Sequence, residues 1–285
     1  MTALLALASA VLIGGADFVG GVASRIANGI RVAAFAQILG LAFALPLSIA
    51  YGADRLGGAD VTWSLVSGVA AAGGFGCFYT AMGRGLISVV APVAAVTGAL
   101  IPVVYALARG ERPGSTVLLG LVIALAAVAV VSIAPAEQHA GAGVVDATVI
   151  ALSLASGVFF GAFYITFSRV SEDAGLWPVT LERVAAATVL ILLALALTRG
   201  PIEGVRRLIP YVLAVGALEV AATVPLLLAL QRGPLAIASV LASLYPVTTV
   251  LLAGLVLRER LSRLQYAGVA CALLAVALVS SGAGA

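Results

Sequence analysis

Apolar residues run in blocks of about twenty along most of the chain, separated by brief clusters of Arg, Gly, Pro and acidic residues. A hydrocarbon core about 30 Å thick takes about 20 helical residues to cross, at about 1.5 Å of rise each. Ten blocks meet that length: approximately Ala3 to Ala23, Arg31 to Tyr51, Val61 to Met82, Ile87 to Ala108, Thr116 to Ala134, Ala147 to Phe167, Val179 to Thr198, Leu208 to Leu230, Leu235 to Leu257 and Leu264 to Gly282. None shows the alternation of period two that a barrel strand needs, so the pattern predicts membrane-spanning helices. The breaks, such as Tyr51-Gly-Ala-Asp-Arg, Gly83-Arg-Gly, Arg109-Gly-Glu-Arg-Pro and Gln231-Arg-Gly-Pro, carry turn and interface chemistry. They are short, so consecutive helices are expected to run antiparallel.

A repeat adds organisation. Shifting the chain by 148 positions lays Arg84-Gly85 on Arg232-Gly233, Glu111-Arg112 on Glu259-Arg260, Gly120 on Gly268, Leu65 on Leu213 and Gly68 on Gly216. A shift of 144 lays Ser24-Arg25 on Ser168-Arg169. The expected division is therefore residues 1–137 with five helices, a linker at 138–146, and residues 147–285 with five more. Five is odd, so the second copy starts on the opposite face and the two are expected to be inverted, with a shared site near the membrane midplane. Glu111 and Glu259 then fall at opposite faces near the starts of helices five and ten, where a carboxylate suits a helix N-terminus. The first block has no basic region ahead of it and reads as a retained helix.

Composition narrows the function classes. The chain is 63% hydrophobic and 9% charged, against roughly 25% charged in a soluble domain. All 15 basic residues are Arg, scattered at the ends of apolar blocks instead of clustered on one face, so no nucleic-acid surface is indicated. Without a single Lys, the Gly15-to-Gly21 string cannot serve as a phosphate loop. Cys77 and Cys271 sit inside apolar blocks without metal spacing, and His139 lies alone in the Gly/Ala-rich linker. There is no HExxH or GxSxG, so no enzyme, cofactor or metal is expected.

The candidate site rests on polar groups at membrane depth, where an ionised side chain costs several kcal/mol unless it meets a partner or a cavity. Asp17 lies in the first block beside Phe18, with Ile13, Gly14, Gly20 and Gly21 on its face. Glu219 lies mid-block in the eighth with Gly216, Ala222, Thr223 and nearby Pro225, and its repeat partner is Ala71. Each is a substrate or proton site, or else a carboxylate tying helices together. Glu182 and Arg183 follow Trp177-Pro178, which reads as a helix start; Glu182 then favours the helix dipole, and Arg183 either snorkels to the interface or lines a cavity. Ser153, Ser156, Phe160, Tyr164 and Ser168 form one stripe of the sixth block, and Ala72, Phe75, Gly76 and Tyr79 one of the third. These stripes line a pocket or are packing seams, the latter favoured for Gly68, Ala72 and Gly76. Ser239, Ser243 and Tyr245-Pro246 of the ninth block leave the same two readings open.

A duplicated five-helix unit with an Arg-Gly turn after the third helix and a Glu-Arg pair before the fifth resembles the EamA-like, ten-helix branch of the drug/metabolite transporter superfamily. Here the motif residues are Arg84-Gly85 with Arg232-Gly233, and Gly110-Glu111-Arg112 with Arg258-Glu259-Arg260. The resemblance spans the whole chain and implies a central cavity between the halves that carries metabolites, amino acids or toxic compounds. One departure is Asp17: many relatives have Trp-Gly and no acid there, so a coupling role for it comes from the residue itself. Family precedent places both termini in the cytoplasm. By contrast, Arg25, Arg31, Arg84, Arg199, Arg206, Arg207, Arg258, Arg260 and Arg263 outnumber Arg55, Arg109, Arg112, Arg169 and Arg232 on the other face, which places the termini outside. Orientation thus stays open at this point.

The expectation is a secondary transporter of small organic molecules in a cytoplasmic membrane, exporting by proton coupling or exchange. An integral membrane enzyme acting on lipid or prenyl substrates and a non-transporting subunit are the competing classes. High Ala, Gly and Arg usage suggests a bacterium with a G+C-rich genome.

Overall fold

The structure, a computed structural model, describes residues 1–85, 87–131, 146–198, 205–256 and 263–282. Among the described residues all regular structure is helical: α1 Thr2–Ile26, α2 Gly29–Tyr51, α3 Gly58–Arg84, α4 Ile87–Ala108, α5 Ser115–Val131, α6 Ala147–Phe167, α7 Trp177–Leu197, α8 Val205–Arg232, α9 Leu235–Ala242, α10 Tyr245–Val256 and α11 Arg263–Gly282. A 3-10 turn at Glu172–Ala174 precedes α7. Glu259, Arg260, His139 and linker residues 138–145 lie outside the described residues.

Seven helices (α1 to α4 and α6 to α8) are long and apolar enough to cross a membrane, and shorter apolar helix occupies 115–130, 235–249 and 263–279. Outward-facing leucines such as Leu4, Leu195, Leu255 and Leu273 are more than two-thirds exposed. Water would penalise that surface, whereas lipid tails match it. Helix starts use local chemistry: the Asn28 side chain accepts from the Ile30 amide at 3.0 Å, the Asp146 side chain from Val149 at 2.8 Å, and Pro178 opens α7. Gly52, Gly110 and Gly175 take positive φ in the connecting turns.

The ninth block is not one helix. It breaks between α9 and α10 at Ser243 and Leu244, where Leu244 bonds back only three residues to Leu241. Pro246 has no N–H for the Ala242 carbonyl and disfavours helical geometry in the residue before it, so the chain tightens there. A broken helix at membrane depth is tolerated where it lines a cavity.

The helix packing obeys an exchange of each helix with the one five spans later. α1 packs on α8 as α6 packs on α3; α1 meets α9 and α10 as α6 meets α4; α2 meets α8 as α7 meets α3. The pairs α2 with α7 and α5 with α11 map onto themselves. Close backbone approaches repeat the same register. Gly68 lies against the Glu182 carbonyl, and Gly216 against that of Ala36, where a Cβ would come within 2.8 Å. A Cβ at Gly14 would meet the Tyr245 carbonyl at 2.5 Å and Thr248 at 2.6 Å, as one at Gly157 would meet the Ala94 carbonyl at 2.7 Å and Thr97 at 2.5 Å.

Gly68, Ala72 and Gly76 thus form a seam: Gly68 and Gly76 face α7, at Glu182 and Leu190, and Ala72 is fully buried. Gly68→Ala is expected to destabilise by about 1–3 kcal/mol, because the obstacle is backbone and both helices must shift. Thermal unfolding of the detergent-purified variant measures this, and an unchanged midpoint would contradict the close packing.

Candidate functional site

The helices that cross between halves enclose a cavity with about 60 Å³ of free room, enough for a few water molecules but too little for a metabolite. Its charged lining comes from three helices: Asp17 of α1, Glu182 and Arg183 of α7, and Glu219 of α8. Phe75 of α3, Phe160, Phe163 and Tyr164 of α6, and Tyr245 at the head of α10 form its aromatic wall.

Arg183 is the largest fully buried side chain among the described residues, 1% exposed. Its Nη1 donates to Gln37 Oε1 at 2.9 Å and pairs with Glu219 Oε2 at 3.3 Å, while Nη2 donates to Thr223 at 3.2 Å. Gln37 Nε2 donates to the same Glu219 oxygen at 2.9 Å, and Tyr79 Oη donates to the other at 3.1 Å. Both carboxylate oxygens and two guanidinium nitrogens are therefore engaged, while the buried Arg183 Nε has no hydrogen-bond partner among the described residues. Gly40 makes room for this, since a Cβ there would meet Arg183 Nη1 at 2.7 Å. Thr223 in turn donates to the Glu219 carbonyl at 2.7 Å, one helical turn back.

Asp17 and Glu182 differ from Glu219. Both are buried, at 3% and 2% exposure, yet among the described residues no hydrogen bond reaches Asp17 and Glu182 Oε2 has no partner. Asp17 lies in the electrostatic reach of Glu219, Tyr79, Tyr164 and Tyr245.

Of the residues expected from sequence, the structure brings Asp17, Glu219, Phe75, Phe160, Tyr164, Arg183 and Tyr245 to one cavity. Tyr79 stands behind that lining as a donor to Glu219 and stacks on Phe75 at 5.9 Å. Phe18 is half-buried and does not line the cavity. Ser153 and Ser156 belong to packing: Ser156 donates across to the Gly74 carbonyl at 3.0 Å, and Ser153 to its own helix. Gln37 and Glu182 were not legible as site residues. The amide sits uncharged in an apolar block, and the acid follows so soon on Trp177-Pro178 that it reads as a dipole partner, although it is buried in the cavity wall.

On the face holding the turns after α2, α4, α6 and α8, the two halves are tied together. The Ser171 amide donates to Asp60 Oδ1 at 2.9 Å, the Arg55 amide to the Asp173 carbonyl at 3.0 Å, and Ser48 to the Leu176 carbonyl at 2.8 Å. Arg169 bonds the Tyr105 hydroxyl and lies 5.6 Å from its ring centroid. Glu111 also departs from the expected arrangement. It precedes α5, but its carboxylate caps α9, accepting from Leu235 at 3.0 Å and Ala236 at 3.3 Å. Glu111→Ala is expected to lower stability by about 1–2 kcal/mol. Glu172→Ala, which removes an exposed 3.7 Å pair with Arg232, should stay within about 0.5 kcal/mol. Thermal unfolding of the two variants side by side makes the comparison, and equal shifts would contradict the cap.

Compared with known proteins, the sequence pattern of the EamA-like transporter family matches twice, at residues 1–133 and 147–281. No curated protein matches the sequence at a significant level. A solved crystal structure is similar over 95% of this chain and 98% of its own, with a TM-score of 0.69 and 18% identity, a likeness of fold.

Proposed function

Because this chain belongs to the EamA-like transporter family, a family of multi-pass membrane transporters, we propose that it is a secondary carrier of small organic solutes, exporting them across a bacterial cytoplasmic membrane by proton coupling or exchange. The observation that carries this reading is the buried cavity between two five-helix halves, lined by three carboxylates, one guanidinium and an aromatic wall.

The halves are inferred to be inverted copies at 1–137 and 147–285, joined by the linker. The exchange symmetry of the helix contacts supports this, together with an odd number of spans in each half. Gln37 and Arg183 then stand at equivalent depths of α2 and α7, as Ala36 and Glu182 do where they receive Gly216 and Gly68. The cavity is too small for a solute and one face is closed by cross-repeat bonds, so loading requires movement. If the halves trade conformations, the tied face opens and the other closes. Asp17 is the proposed coupling group: it faces the cavity without a fixed partner, so it can gain and lose a proton as the cavity closes and opens to water.

The test is uptake of labelled amino acids, nucleosides and cationic drugs into proteoliposomes with and without an imposed pH gradient. Saturable uptake of at least one solute, accelerated by the gradient or by internal solute, is expected. Absence of uptake across the whole panel would remove the carrier reading.

A further inference from the structure

We infer that the solute recognised in this cavity is an organic cation with an apolar or aromatic body, and that Glu182 is an anionic contact for it alongside Asp17. The inference rests on the carrier reading for its biological sense, but the binding chemistry stands on the lining itself.

The charge count comes first. Three carboxylates and one guanidinium line the cavity. The guanidinium charge is held by Glu219, with Gln37 and Thr223 accepting from its Nη atoms and Tyr79 and Gln37 donating to the carboxylate, while among the described residues Arg183 Nε has no hydrogen-bond partner. That charge offers little to an anion, since parting it from Glu219 would leave a charge uncompensated at low dielectric. Asp17 and Glu182 remain. Both line the same space, both are at least nine-tenths buried, and one oxygen of Glu182 has no hydrogen-bond partner. A buried carboxylate without a counter-charge is costly, so an arriving cation supplies the charge compensation that the protein does not. An anion would instead meet two carboxyl groups that repel it whenever they are ionised, with the one guanidinium charge in the lining already paired with Glu219.

The rest of the lining fits the body of such a cation. Phe75 stands at 5.2 Å from Phe160 in an edge-to-face pair, and Phe163 lies 5.8 Å from Tyr164. Faces of aromatic rings attract cations within about 6 Å of the centroid and favour the apolar groups attached to them. Ala71, Ala94, Ala95 and Gly98 add small apolar lining to the same cavity. Glu182 stands where the first half has Ala36, as Glu219 stands where it has Ala71, so the second half supplies acids at positions the first leaves apolar.

The experiment is equilibrium binding to the wild-type full chain in nanodiscs, with three probes of similar size: benzyltrimethylammonium, phenylacetate and N-benzylacetamide. The cation carries a permanent charge, so its own titration cannot confuse the result. Saturable binding of benzyltrimethylammonium, at least ~10-fold tighter than of either other probe, is expected, ~10-fold being about 1.4 kcal/mol. Glu182→Gln should weaken the cation by ~10-fold or more and leave the neutral probe unchanged. Glu182→Asp keeps the charge and should retain the selectivity, which guards against misfolding of the amide variant. Ser153→Ala, outside the lining, should bind as wild type. Phenylacetate bound as tightly as the cation, no saturable cation binding, or full cation affinity in Glu182→Gln would each overturn the inference. Cation binding without flux in proteoliposomes would sink the carrier reading alone, and flux of an anion without cation binding would sink this one alone.

Discussion

Arg183→Met is expected to destabilise the protein by about 3–5 kcal/mol and to abolish transport, the largest stability effect of any single change at the site. The side chain is 1% exposed and its guanidinium joins Gln37, Glu219 and Thr223 across α2, α7 and α8. Removing it leaves the Glu219 charge with only Tyr79 and Gln37 as donors in a low-dielectric interior. Pairing the change with Glu219→Gln removes the orphaned charge along with its partner. The double variant should therefore recover most of the lost stability, because a buried ion pair as a whole contributes little net energy against a neutral filling of similar volume. Transport should stay absent in it. Thermal unfolding of the wild type, both single variants and the double variant closes the cycle. Additive losses would show that Arg183 and Glu219 are not coupled, contrary to their 3.3 Å separation.

The number and placing of the spans were legible because transfer into lipid depends on composition over about 20 residues and needs no tertiary information. The duplication was legible because Gly68 with Gly216 and Arg84-Gly85 with Arg232-Gly233 recur at fixed separation in a chain otherwise biased to Ala and Val. The glycines recur for a physical reason, since both receive a carbonyl of the neighbouring helix. The partners of buried groups were not legible. Glu111 caps α9, 124 residues away in sequence, and Gln37 reaches Glu219 across 182. Nothing local marks such pairings, and an amide in an apolar block looks like any tolerated polar residue. Helix rotation hid the rest: Phe18 adjoins Asp17 in sequence, yet successive residues point about 100° apart on a helix of 3.6 residues per turn, so only the acid lines the cavity. The break before Tyr245 had its signal in Pro246, but a proline inside an apolar block is compatible with an unbroken span, as Pro225 of α8 shows.

Asp17→Asn is expected to abolish proton-driven transport while the protein folds and is purified as the wild type does. The asparagine side chain matches the carboxylate in shape and keeps an oxygen acceptor, so contacts at Gly14 and Gly20, where α1 meets Tyr245 and the Tyr79 ring, are unaffected. What disappears is the ability to exchange a proton. Among the described residues no hydrogen bond holds Asp17, and the titratable groups around it are Glu219 of α8, Tyr79 of α3, Tyr164 of α6 and Tyr245 of α10. Glu219 is committed to Arg183, and the three hydroxyls are not charged at neutral pH in ordinary surroundings. In a proton-coupled carrier of this build the proton would then reside on Asp17 or on Glu182, whose Oε2 has no hydrogen-bond partner among the described residues. Uptake into proteoliposomes under an imposed pH gradient separates the two. Loss in Asp17→Asn with persistence in Glu182→Gln assigns coupling to Asp17 and leaves Glu182 to the solute. Counterflow of labelled against unlabelled solute, which needs no proton, should continue in Asp17→Asn at a reduced rate. If Asp17 only ties α1 to its neighbours, Asp17→Asn will respond to the pH gradient as the wild type does, and that result would end the coupling proposal.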